Sequence, residues 1–255
     1  MKFSIVALAL VALLLTACSD DPVLPPGSDK YVVTTTGSYY VHNVDSVRNN
    51  PADTANPTYT PAGRDSSYIV TTTLLAGRTG VLIRGIYTND GTTTYDTTYL
   101  AQEGNSIYQY YKLGVTDIPA VQPIIVGETW IRIGDNNATS WTALDTLITN
   151  VSFVYNDIPL VANVEVDLLG KKIGTETITI DGTAHSANHF RITGEIYVNH
   201  AFAQVRAYTQ EDFWFVKNVG MVKYERGVTT LNGGSLFSGI KVNGKRKTAT
   251  SVKVF

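Results

Sequence analysis

Val164-Glu165-Val166-Asp167-Leu168 alternates apolar and acidic residues, and Thr177-Ile178-Thr179-Ile180-Asp181-Gly182 repeats the alternation and ends on a turn dipeptide. A period of two puts Val164, Val166 and Leu168 on one face of a strand and the acids on the other. Asp-Gly readily takes the left-handed backbone that a tight hairpin needs. Together the two stretches predict long antiparallel strands joined by hairpins. The rest of the chain agrees. Val81-Leu82-Ile83 and Ile124-Ile125-Val126 are short apolar runs suited to buried strands, and Ala184 to Val198 also reads as strand. Asp90-Gly91, Asn232-Gly233 and Asn243-Gly244 mark further turns. Threonine triplets at 34–36, 71–73 and 92–94, with 15 tyrosines, favour a pleated surface over a helix. The predicted fold is all-β, a large curved antiparallel sheet or open half-barrel with little helix apart from the apolar N-terminal segment.

Asn49 to Arg64 carries three prolines and few apolar residues. It reads as a long exposed loop between the first and second strands. Tyr31-Val32-Val33-Thr34-Thr35-Thr36 and Tyr68-Ile69-Val70-Thr71-Thr72-Thr73 look alike, a likeness that β propensity alone produces, so no internal repeat is inferred.

At the N-terminus, Lys2 precedes an apolar run from Phe3 to Leu15 that only Ser4 interrupts, followed by the small residues Thr16 and Ala17. That is the layout of a secretory signal. The run is too short for a membrane span, which needs about 20 residues. Leu15-Thr16-Ala17-Cys18 resembles the lipobox of bacterial lipoproteins. The resemblance implies that residues 1–17 are a signal peptide and that Cys18 is lipidated and begins the mature chain. Two or more acyl chains anchor stably, whereas one binds only marginally. Ser19 stands where enteric lipoproteins carry an aspartate for inner-membrane retention, and Ser19-Asp20-Asp21 resembles the acidic export signal of Bacteroidetes-type surface lipoproteins. Both point to an outer-membrane anchor in the cell envelope, on a periplasmic or surface face that the sequence leaves open. Residues 18–30 read as lipidated cysteine and extended tether; the twelve from Ser19 span at most about 40 Å. Residues 31–255 form the expected β domain. Cys18 is the only cysteine, so packing without disulfides must stabilise that domain.

Losing the signal removes one of the 20 basic residues, Lys2, and none of the 22 acidic ones. A near-neutral chain gives no reason to expect a nucleic-acid partner. Two further segments resemble a group of exported bacterial β-proteins, mostly uncharacterised. Pro123-Ile124-Ile125-Val126-Gly127-Glu128-Thr129-Trp130 is similar to their "P-L-x-V-G-x-x-W" motif. Phe213-Trp214-Phe215-Val216-Lys217-Asn218-Val219-Gly220-Met221-Val222-Lys223 is similar to their "W-[YF]-x-[KP]-x-V-G-x-V-K" ending. Between them, residues 174–182 fit "x-E-x-V-T-V-P-A-G", with Asp181 where proline is usual. The likeness spans roughly residues 100 to 230. It implies an envelope protein with a curved sheet, reminiscent of Lol-type lipoprotein carriers, half-barrels that enclose acyl chains. The group has no agreed catalytic residues, and none are carried over. Trp214, Phe215 and Val219 to Val222 read as paired strands meeting at a turn, with Gly220 supplying a backbone conformation or close approach.

Other motifs give no chemistry. Gly239 to Lys245 matches G-x4-G-K, but Arg246 replaces the Ser/Thr that would hold magnesium and no helix is expected to follow; Val242-Asn243-Gly244-Lys245 reads instead as a hairpin turn. His185 and His189 lie four apart on a predicted strand, a span of about 13 Å that prevents joint chelation without a bend. No G-x-S-x-G elbow is present. No enzyme, cofactor or metal is expected, and the ligand-binding residues are left unassigned. Asp45-Ser46-Val47, Asp53-Thr54-Ala55 and Asp145-Thr146-Leu147 resemble the Asp-[Ser/Thr]-apolar acceptor of O-glycosylation, the first two in or beside the expected loop. The sequence therefore predicts a non-catalytic, membrane-anchored envelope lipoprotein that binds an apolar or amphipathic ligand on the concave face of its sheet. That reading is motivated by the carrier-like resemblance together with many aromatic strand residues, such as Tyr108, Tyr110 and Trp130. The alternative is a surface scaffold with a solidly packed sheet and a protein partner.

Overall fold

The computed structural model describes residues 29–49, 56–89, 91–115, 124–155, 158–200, 203–233 and 240–255. Cys18, the signal segment and most of the tether lie outside them. Among the described residues there is no helix. The first meander comprises β1 (Tyr39–Arg48), β2 (Thr58–Leu75), β3 (Arg78–Asn89), β4 (Thr92–Glu103), β5 (Ser106–Val115) and β6 (Ile124–Asp135). A second follows, with β7 (Ser140–Tyr155), β8 (Ile158–Ile180), β9 (Thr183–His200), β10 (Ala203–Val216) and β11 (Gly220–Arg226). The short pair β12 (Thr229–Asn232) and β13 (Ile240–Val242) precedes β14 (Gly244–Lys253).

All 14 strands belong to one antiparallel sheet in the order β6-β5-β4-β3-β2-β1-β14-β11-β10-β9-β8-β7, with β12 laid beside β10 and β13 beside β12. The last strand thus joins the two meanders. The ends of the sheet, β6 and β7, approach each other through side chains. Trp141 Nε1 donates to the Arg132 carbonyl at 2.8 Å, and Gly134 lies against the Phe190 ring. The sheet curls into a nearly closed barrel, in line with the predicted all-β curved form.

The alternation that predicted β8 is realised: Val164, Val166 and Leu168 are buried while Glu165 and Asp167 are exposed. They join one large core inside the curl, with Ile107, Ile133, Phe190, Phe213 and Phe215 among its most buried members. Asp181 and Gly182 both take left-handed φ, 50° and 77°, and close the β8–β9 hairpin directly. A bulge between Lys172 and Gly174 bends that hairpin. Its tip reaches β14, where Asp181 accepts from Ser251 Oγ and the Val252 N–H, both at 3.1 Å. Ile178, Ile180 and Ala187 there form a second core with Trp214, Val216, Val222 and Ala249. Trp214 and Val216 alternate with Phe213 and Phe215, so both faces of β10 are covered at this end.

Three expectations change. The loop expected over Asn49–Arg64 is shorter, because β2 begins at Thr58. Residues 58–63 pair only with β1, and Pro61 sits at a bulge in that ladder, where its missing N–H costs little. Asn243-Gly244 is no hairpin: β13 pairs with β12, whereas β14 pairs with β1 and β11. At Asn232-Gly233 the chain does reverse, through a connection longer than two residues, since Leu231 pairs with Ile240. Finally, Tyr31, Val32 and Val33 are buried without being a strand. Gln102 Oε1 accepts from the N–H groups of Tyr31 and Val32 at 2.7 and 3.1 Å, and Gln102 Nε2 donates to the Asp29 carbonyl at 2.6 Å. The segment between tether and β1 is packed into the barrel.

The β10–β11 turn matches its reading. Gly220 has φ 103°, and a Cβ there would meet Tyr40 Oη at 2.6 Å. That hydroxyl donates to the Val219 carbonyl at 2.7 Å.

Candidate functional site

Among the described residues the interior of the curl is partly hollow, and two of its cavities carry polar groups on an apolar wall. The smaller, about 60 Å³, lies among β1–β4, β11 and β14 beneath Tyr31–Val33. Its polar wall comes from inward positions of strands. On β1, Tyr40, His42 and Val44 follow one another at the inward spacing and all three are buried. Opposite His42 on β2 stands Asp65, 1% exposed and ion-paired with Lys247 of β14. Burial pushes the His42 imidazole down to about 4, with the Asp65 charge opposing and Lys247 adding to the shift. His42 Nδ1 and Asp65 Oδ1 are both buried without a hydrogen-bond partner. At working pH this wall is a neutral ring beside a buried ion pair.

The larger cavity, about 170 Å³, is bounded by β5, β6, β8, β9 and β10, with the β12–β13 pair along one side. Ile131, Ile133, Val166, Leu168, Ile192 and Leu231 make most of its wall apolar. One side is polar. Tyr111 of β5 reaches across the interior and donates to Glu211 Oε2 of β10 at 2.8 Å. Tyr224 of β11 donates to the same carboxylate, and Arg226 adds its charge nearby. Removal from bulk water pushes the Glu211 carboxyl up, while the two phenols and Arg226 pull it back. Burial raises both phenols well above their ordinary range, and the Glu211 charge adds to it.

The aromatics that motivated the ligand reading lie on the outer side of the sheet. On β5, Ile107, Tyr111 and Leu113 pack into the main core, which turns Tyr108 and Tyr110 outward. Tyr110 pairs with Tyr99 and Trp130, their rings meeting edge-on at 6.1 and 5.3 Å. Arg78 lies 3.5 Å over the Tyr108 ring. Alternation is the physical reason: Tyr111, one residue on, is the aromatic that enters the cavity.

His185 and His189 both lie on β9, as read. His189 Nε2 is 2.6 Å from Asp212 Oδ1 and its ring stacks 4.2 Å from Trp214. Among the described residues no group of three or more His, Cys, Asp or Glu side chains is placed to hold a metal. The G-x4-G-K match lacks its helix, because residues 240–253 form β13 and β14. Of the glycosylation triplets, Asp53-Thr54-Ala55 lies outside the described residues. Ser46 is not in a loop but inside β1, paired on both sides, and Thr146 lies in β7. The sequence reading missed His42, Asp65, Lys247, Tyr111, Glu211, Tyr224 and Arg226. The available signal was a polar residue at an inward position of an alternating strand, as in Tyr40-His42-Val44.

Fold and interior define an all-β protein whose nearly closed sheet encloses an apolar cavity with a polar side. No protein-family model matches the chain, and no curated protein matches it. Two solved structures are similar to it. One is a candidate lipoprotein from Parabacteroides distasonis, 14% identical, covering 89% of this chain and 99% of its own, with a TM-score of 0.48. The other is a candidate exported protein with a YmcC-like fold from Bacteroides fragilis, 9% identical, covering 88% and 99%, with a TM-score of 0.40.

Proposed function

We propose that this chain is a non-catalytic lipoprotein of the cell envelope, held in the outer membrane through lipid on Cys18, and that its β domain from residue 31 onward binds an apolar or amphipathic ligand inside the curled sheet. The observation that carries the ligand reading is the cavity of about 170 Å³ walled by Ile, Val and Leu side chains. Apolar cavities near 150 Å³ stay dry and admit a benzene-sized molecule. A well-formed apolar pocket with a few convergent polar groups is the usual form of a ligand site. The hollow interior favours this reading over a solidly packed scaffold. The anchor reading rests on Leu15-Thr16-Ala17-Cys18 and on the tether that follows it.

Two measurements test it. Mass spectrometry of small molecules released from the gently purified chain should find an amphiphile in stoichiometric amount; repeated recovery of none, with no uptake of added amphiphiles, would sink the ligand reading. Cys18→Ala should move the chain from the membrane to the soluble fraction with its β-sheet circular dichroism unchanged. Retention in the membrane would refute the anchor.

A further inference from the structure

We infer that the ligand of the larger cavity is a small carboxylate-bearing amphiphile, its tail among the apolar residues and its head against Arg226. The inference rests on the ligand reading above and adds the class of molecule. Its basis is the asymmetry of the wall. Ile131, Ile133, Val166 and Leu168 give a tail nothing but hydrocarbon. The charged groups that line the cavity are Glu211, Arg226 and Lys112, two cations against one carboxylate.

That carboxylate is already occupied. Glu211 holds the phenols of Tyr111 and Tyr224, and these hydroxyls spend their protons on it. A cationic or hydroxyl head would have to displace them. Arg226 is differently placed. Its Nη2 reaches the Asn243 carbonyl at 3.4 Å, a long bond to a neutral acceptor, and a guanidinium carries five N–H donors in a planar fork that matches a carboxylate. Lys112, exposed at the rim, has its own partner in Glu128 at 3.5 Å, so the head falls to Arg226.

Anion binding also fits the state of Glu211. A second carboxylate beside it favours its protonated form, which burial already favours. A proton taken up from solvent by Glu211 would leave one negative charge, that of the head, against one guanidinium. Tyr111 and Tyr224 remain to orient the pair. The tail has a size limit. A cavity of about 170 Å³, set against the roughly 150 Å³ that takes benzene, admits a chain of about six carbons without opening the sheet.

The experiment uses the full chain carrying Cys18→Ala, so that no acyl group travels with it, and three probes with one tail: hexanoate, hexanol and hexylammonium. Binding is followed at pH 7 by amide chemical shifts, with the Tyr111, Leu168 and Leu231 signals as reporters of the cavity. Hexanoate should bind at one saturable site, about tenfold or more tighter than the other two, which is the worth of one charge-assisted hydrogen bond. Arg226→Gln should remove that preference and leave weak, equal binding of all three. Glu211→Gln, which takes away the competing charge, should tighten hexanoate several-fold and leave hexanol unchanged. Equal binding of the three probes to the unaltered cavity, or preference for hexanol or hexylammonium, overturns the carboxylate assignment while the ligand reading stands. Failure of all three probes to shift the reporter signals overturns both.

Discussion

Acidification from pH 7 to pH 4 acts on this fold through His42. The imidazole is 6% exposed and faces the 1% exposed Asp65 across the β1–β2 ladder. Burial lowers its pKa from 6.5 to about 4, the Asp65 charge opposing and Lys247 assisting. Between those two values the unfolded chain carries a proton on this ring that the folded chain does not, so stability falls as pH falls. At about 1.4 kcal/mol per pH unit, the loss across the window comes to about 3 kcal/mol. Glu211 acts in the opposite sense: its pKa is raised in the fold, so the folded chain binds a proton ahead of the unfolded one. A comparison with a variant that keeps Glu211 therefore isolates the histidine. His42→Phe keeps a ring stacked on Tyr40, now 6.2 Å away, and the neighbouring cavity of about 60 Å³ takes the added atoms. Removing the unpartnered Nδ1 relieves about 1–3 kcal/mol at neutral pH. Urea unfolding followed by tryptophan fluorescence at pH 7, 6, 5 and 4 is the assay. The gap in stability between variant and wild type should widen by about 3 kcal/mol from pH 7 to pH 4. A gap that stays constant over that range would show that His42 is not buried neutral, and the account of the smaller cavity would fall with it.

Gln102→Leu strands the N–H groups of Tyr31 and Val32, which it accepts at 2.7 and 3.1 Å. Each buried N–H left unpaired costs about 1–3 kcal/mol, so residues 29–38 should be cleaved faster in limited proteolysis while the sheet resists. Gly170→Ala would set a Cβ 2.0 Å from Trp141 Cε2, displacing the indole that ties β7 to β6. A destabilisation of about 1–3 kcal/mol or more is expected in thermal unfolding, and an unchanged Tm would refute the closure described. Asp181→Ala removes two hydrogen bonds to β14, at about 1 kcal/mol each. Hydrogen exchange should quicken at Thr177–Ala187 and not at Val164–Leu168.

Period two was legible wherever one face of a strand meets the core, because a slip of one residue there would bury every charge. Val164-Glu165-Val166 is the plain case, and the curved all-β form follows from many such segments. Pairing over long distance was not legible. Asn243-Gly244 has the local chemistry of a turn, yet β14 leaves β13 for β1 and β11, two strands with which it shares no turn. Lys247, carried by β14, there meets the buried carboxylate of Asp65 on β2, a partner far off in sequence. The period of β5 was legible but its facing was not, because both of its sides carry large side chains: Ile107, Tyr111 and Leu113 take the core, and Tyr108 and Tyr110 the outer face. The interior chemistry itself consists of exceptions to the alternation. His42 between Tyr40 and Val44, and Glu211 two residues before Phe213, put polar groups where the pattern calls for hydrocarbon. A buried polar group without full compensation costs stability; His42 Nδ1 and Asp65 Oδ1 carry that cost at the smaller cavity, whereas Glu211 at the larger one is held by the phenols of Tyr111 and Tyr224. The placement of these polar groups at hollow rather than filled parts of the interior is what an internal ligand site requires and what a solid scaffold does not.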